Sequence, residues 1–243
     1  MSKIPNTLWL TVSPHLRRFD QRLLGQLTQT ATVRCWEYDQ TEDEPCCLTT
    51  ATTLLHDYVK QCDRPLHLMG HGISGLVGLL YARQYPHRVK SLTLISVGAN
   101  PAISWHSHYY ALRQLLPCSR GVVLGQIARL LFGAQTHKQA IALTRILTRD
   151  LDCSLAPHSL ASNSVLVPGG IEPALLVCHG SHDVIIDPNM QSRWQAWLKP
   201  GDRLWSCPEG RHFFHHEYPQ QTAAVMADFW QSLPAKAKTT LMS

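Results

Sequence analysis

Six short apolar runs, rich in β-branched residues, alternate along this chain with stretches whose apolar residues recur at helical spacing. The runs are Thr7 to Ser13, Ala31 to Glu37, Leu66 to Met69, Lys90 to Val97, Ala174 to Cys178 and Arg203 to Cys207. Helical spacing marks Arg17 to Thr30, Thr49 to Cys62, Ser74 to Tyr85, Asp187 to Trp197 and Gln220 to Ser232. Strands that follow one another through helices can pair only in parallel, and right-handed crossovers then cover both faces of the sheet. The pattern therefore predicts a doubly wound, mostly parallel α/β sheet of about six strands.

Between about Asn100 and Gly170 the rhythm breaks. Three helix-like pieces, Ser104 to Leu116, Val122 to Phe132 and His137 to Leu151, are punctuated by Pro117, Gly133 and Pro157. The expected organisation is a core of residues 1–99 and 171–235, a helical cap of residues 100–170 inserted over the strand ends, and a flexible tail of residues 236–243. At 243 residues and 44% hydrophobic, the chain is long enough to bury such a core.

The most informative segment is Leu66-His67-Leu68-Met69-Gly70-His71-Gly72-Ile73-Ser74-Gly75, which runs on through a helix to Tyr85-Pro86. A buried strand enters a glycine-rich turn, and a helix follows at once. Downstream, Val177-Cys178-His179-Gly180-Ser181-His182-Asp183 ends a strand in Gly, two residues and Asp. Glu209-Gly210-Arg211-His212-Phe213 follows, with Glu217 and Pro219 at the start of the last helix.

These three motifs resemble the nucleophile elbow, acid loop and histidine loop of the α/β-hydrolase superfamily, in the chain order that fold uses. In its cap-bearing members the elbow reads Gly-His-Ser-x-Gly-Gly. By that resemblance Asp183 is the acid and His212 the base, while the nucleophile position holds Gly72. A shifted register on Ser74 fails, because Leu76 then stands where the second glycine belongs. Glycine reaches positive φ without a Cβ clash, so its presence relaxes a turn that strains a serine. The resemblance further implies oxyanion or pocket roles for Ile73, Ser13, Ser74 and His71. The early loop reads Val12-Ser13-Pro14-His15, and proline has no N–H to offer an oxyanion.

Other chemistries fit less well. Gly70, Gly72 and Gly75 match G-x-G-x-x-G, but two strands precede them and no acidic residue follows about 20 positions on to hold a ribose. No Lys follows the glycines, so the segment is not a phosphate loop. Fourteen histidines invite a metal; yet no H-E-x-x-H or Cys/His ligand spacing is present, and a His182-Asp183-His212 site is only geometrically conceivable. We expect neither metal nor cofactor. The formal charge of +5 is scattered, with no basic run or basic helix stripe, which argues against nucleic acid as a partner. No run approaches a membrane span, and eight cysteines without a C-x-x-C pair or a secretion signal point to a reduced, cytoplasmic protein.

The expected function is that of a non-hydrolytic pseudoenzyme, a module that binds a small-molecule ligand or a protein partner. Its alternatives are a lyase-like enzyme using Asp183 and His212 as an acid–base pair, or an esterase-like hydrolase using Ser74 or an activated water.

Overall fold

The alternation of side chains along the strands builds two cores from one sheet. In a computed structural model describing residues 4–39, 43–44, 47–155 and 166–234, every strand is parallel to its neighbours. The elements run β1 (Ile4–Thr11), α1 (Gln21–Thr30), β2 (Ala31–Glu37), α2 (Leu48–Val59), β3 (Leu66–His71), α3 (Gly72–Gln84) and β4 (Val89–Ile95). Then come α4 (Trp105–Leu115), α5 (Arg120–Phe132), α6 (His137–Cys153), β5 (Ala174–Gly180), α7 (Pro188–Ser192), β6 (Arg203–Cys207), α8 (Phe214–Glu217) and α9 (Pro219–Ser232).

Leu8, Leu10, Leu68, Leu92, Leu94, Leu175 and Val177 point to one face, where α2, α3 and Trp194 cover them. Trp9, Met69, Ile95, Leu176 and Cys178 point to the other, beneath α1 and α9. This period of two, apolar on both faces, is what a doubly covered parallel sheet requires. The spatial order is β2-β1-β3-β4-β5-β6. The chain thus winds outward in one direction to β2, then returns across β1 to wind the other way. In such sheets the crevice at the reversal, outside the carboxyl ends of the two strands, is where ligands bind. Here that crevice lies beyond Thr11 and His71.

Three helices leave the sheet after β4. Ser104 and Thr136 open α4 and α6 with reciprocal capping boxes, and Ser119 caps α5 through the Val122 N–H. Their apolar faces form a third cluster with Leu16, Phe19 and Phe213 of the core. Residues 156–165 of the expected cap and the expected tail, 236–243, lie outside the described residues.

Two expected helices are each two pieces. The first is a 3-10 turn, Pro14–Phe19, followed after Asp20 by α1. The second is α7 followed by a 3-10 turn, Arg193–Ala196, which carries buried Trp194 with its indole N–H on the Val97 carbonyl, 2.9 Å away.

Candidate active site

The turn between β3 and α3 is built by close approach. A Cβ on Gly70 would lie 2.6 Å from the Gly75 nitrogen, and one on Gly75 would lie 2.7 Å from the Gly70 oxygen. Only glycine at both positions lets the helix start this close to the strand. Between them Gly72 takes φ +52°, a left-handed conformation, yet the space its Cβ would occupy is open to 4 Å. Backbone strain, rather than crowding, is therefore what disfavours a side chain there.

Asp183 and His212 come together at the ends of β5 and β6. The two loops are stitched by the His182 N–H on the Gly210 carbonyl, 2.9 Å, and the Glu209 N–H on Ser181 Oγ, 2.8 Å. His212 Nδ1 lies 2.9 Å from Asp183 Oδ2, while Asp183 Oδ1 accepts from the N–H groups of Ile185 and Ile186 at 2.9 and 3.1 Å. Burial would raise the Asp183 pKa, but the neighbouring imidazole and the two amides outweigh it and hold the carboxyl below its ordinary value. An ionised Asp183 fixes the Nδ1–H tautomer of His212, leaving Nε2 as the available acceptor.

The position of His212 is set again from its backbone. Its carbonyl accepts from Ser96 Oγ at 2.7 Å and from His71 Nε2 at 3.1 Å. Burial, with His215 and His212 beside it, keeps the His71 pKa well below its usual value, so this imidazole is a neutral donor. The next residue, Phe213, stacks on Phe132 of α5 with centroids 4.7 Å apart, so the histidine loop is also anchored to the cap.

A cavity of about 30 Å³ at the topological reversal is lined by Gly72, Ile73, Ser13, Ser74, His71 and His212, with Ser104 and Trp105 closing it from the cap side. All the expected site residues line it except Asp183, which stands behind His212. Pro14 does not line it, whereas Ser13 does. Ser74 is buried in the first turn of α3, and its Oγ accepts from the Val12 N–H at 3.0 Å, tying the early loop to the helix. His182 is not among the lining residues, and no group of three or more His, Cys, Asp and Glu among the described residues is placed to hold a metal ion.

Two residues that sequence reasoning passes over also belong here. Asp20 lines the cavity. Its Oδ2 accepts from Trp9 Nε1 at 3.1 Å, and its Oδ1 lies 3.0 Å from Nε2 of fully buried His215. Burial pushes Asp20 up to about 8 and His215 down to about 3, so at neutral pH the pair holds one proton, on the carboxyl. In the sequence Asp20 is hidden inside an apparently continuous helix. His215 stands there only as one of fourteen histidines.

The sequence and the fold have counterparts elsewhere. Residues 7–225 match the Alpha/beta hydrolase family. The chain is 45% identical over 239 residues to "Uncharacterized protein sll0249" of Synechocystis sp., covering 97% of this chain and 95% of that one. It is 40% identical over 231 residues to "Uncharacterized protein alr2406" of Nostoc sp., covering 95% and 92%. Among solved structures, carboxylesterase CesB from Bacillus subtilis superposes with a TM-score of 0.71 at 13% identity, over 95% of this chain and 85% of that one, a likeness of fold. Among the described residues no helix is long and apolar enough to cross a membrane. On sequence and architecture together, the chain belongs to the alpha/beta hydrolase family.

Proposed function

We propose that this protein is a non-hydrolytic member of its family, which binds a ligand in the cavity at Gly72 without forming an acyl-enzyme. The observation that carries this reading is Gly72 itself. It sits at the strand-to-helix turn in the left-handed conformation, on the same cavity as His212, and offers no hydroxyl for that imidazole to deprotonate. Ser74 is a poor substitute, because its oxygen is spent on the Val12 amide inside the first helical turn. The proline in the early loop does not by itself remove an oxyanion donor, since Ser13 and Ile73 line the cavity and each carries a backbone N–H. The missing element reduces to one side chain.

The test is incubation of the native protein with a fluorophosphonate probe and short p-nitrophenyl esters. The expected result is no labelling and no turnover above buffer. Labelling at Ser74, with turnover abolished in Ser74→Ala, would overturn the reading.

A second reading is favoured by the intact Asp183–His212 pair: an acid–base enzyme that needs no nucleophile, with His212 Nε2 as the base. Once a ligand is in hand, His212→Ala separates the two. Binding that survives with no change in the ligand supports the binding module, and loss of a chemical conversion supports the enzyme.

A further inference from the structure

The cavity has an unbalanced charge inventory. Its lining includes one carboxyl, Asp20, and no Lys or Arg. The groups on its two oxygens are the Trp9 indole N–H, which donates, and the His215 imidazole, whose protonated form burial disfavours. A carboxylate buried in this way is strongly disfavoured unless a cation joins it. Guanidinium groups nearby do not serve. Arg17, on the turn leading to Asp20, is tied to Glu37 at 3.0 Å on the surface.

We propose that the cavity is a binding site for the ammonium head of a small organic amine, with the Asp20 carboxylate as its counter-charge. The assignment rests on the ligand-binding reading above and names the ligand's class. Three features support it besides the missing cation. The space, about 30 Å³, suits a head group of a few heavy atoms rather than a whole drug-sized ligand. Trp105 brings an indole to the same cavity, the ring type on which cations are best held. An anionic ligand would find no Lys or Arg among the lining residues.

The chemistry implies a proton exchange. The groups facing Asp20 are Trp9 from β1, His215 and His216 from α8, and Arg17 from its own turn; His71 and His212 share the cavity. In the empty site burial keeps Asp20 protonated up to about pH 8. An alkylammonium stays charged throughout this range, as Lys does. Its arrival therefore expels the Asp20 proton to solvent, and no covalent bond to the ligand forms or breaks.

The test is calorimetric titration of the full chain with n-butylammonium, n-butanol and butyrate, from pH 6 to 8.5, in phosphate and in HEPES. At pH 8 butylammonium should bind at least tenfold more tightly than butanol. Its affinity should fall about tenfold per pH unit below 8, and the heats in the two buffers should differ by about half a released proton at pH 8, rising to about one at pH 6. Asp20→Asn should reduce butylammonium to the level of butanol. Because that change also touches Trp9 and His215, the wild-type pH and buffer dependence decides the matter if the variant folds poorly. Equal or tighter binding of butanol or butyrate, or amine binding without proton release, would overturn the proposal. The same preparation is assayed with p-nitrophenyl esters: turnover there defeats the non-hydrolytic reading, whereas silence towards both esters and amines defeats only the choice of amine.

Discussion

Placing a hydroxyl at Gly72 is the sharpest perturbation the geometry offers, because stability and chemistry give separate readouts. A serine Cβ at this position meets nothing within 4 Å, so no neighbour has to move. The cost is the left-handed backbone at φ +52°, about 1–2 kcal/mol for a residue with a Cβ. For a chain of this length each kcal/mol lowers Tm by roughly 2–4 °C, so Gly72→Ser should melt about 2–8 °C below wild type. Against that loss the variant gains a nucleophile on a cavity that already holds His212, oriented by a 2.9 Å bond to Asp183. Ser13 and Ile73 line the same cavity, and the proposed reading takes their N–H groups as the oxyanion donors, the loss of one of which would cost about 10²–10³ in rate. Fluorophosphonate should therefore label the Gly72→Ser variant stoichiometrically at the introduced hydroxyl, and His212→Ala in that background should abolish labelling. Mass spectrometry of the tryptic peptide reads the site, and differential scanning fluorimetry reads the Tm. A folded variant that stays unlabelled would refute the argument that Gly72 is the single missing element. A Tm loss above about 10 °C would refute the claim that the site has room.

Three further outcomes follow from the same structure. Ser74→Ala strands the buried Val12 N–H and should cost about 1–3 kcal/mol by urea denaturation, while probe labelling of the Gly72→Ser background stays at residue 72. Gly75→Ala places a methyl 2.7 Å from the Gly70 oxygen and 2.8 Å from Val97 Cγ2, and should destabilise by about 1–3 kcal/mol or more in the same assay. For the Asp20–His215 pair, the carboxyl raised to about 8 loses stability as pH climbs above its unfolded 3.8, while the imidazole lowered to about 3 loses stability as pH drops below its unfolded 6.5. Between about pH 4 and 6.5 the folded and unfolded pair each hold one proton and the slopes cancel, so their contribution should be flat there and decline from pH 6.5 to 8; Asp20→Asn should remove that alkaline decline in urea melts.

The fold is legible in the sequence because a doubly covered parallel sheet writes the same period into every strand. Leu8, Trp9 and Leu10 alternate between the two cores, as do Leu175, Leu176, Val177 and Cys178. The motif residues are legible because the turn at Gly70 and Gly75 and the Asp183 and His212 loops each need particular residues at fixed spacing. Boundaries are less so. Asp20 interrupts an apolar period that reads as one helix, since its side chain turns inward to Trp9 and His215, partners 11 and 195 residues away that no local pattern contains.

Why an Asp183–His212 pair stands beside a glycine bears on which reading to test next. If the pair were needed to hold the histidine loop, its presence would say nothing about function. The loop is already held without it. The His212 carbonyl takes hydrogen bonds from Ser96 and His71, Phe213 is fixed between the cap and the 3-10 turn by contacts with Phe132 and Phe19, and Gly210 accepts from the His182 amide. Asp183 likewise has two amides on its other oxygen. What the side-chain bond adds is orientation: with Nδ1 on Asp183, the lone pair of Nε2 is the one turned to the cavity. A scaffold has no use for that lone pair, but an N–H or O–H donor on a ligand does, and an ammonium head beside Asp20 would supply such a donor. The geometry of the pair therefore favours a small polar ligand in this cavity over a role confined to the outer surface of the fold.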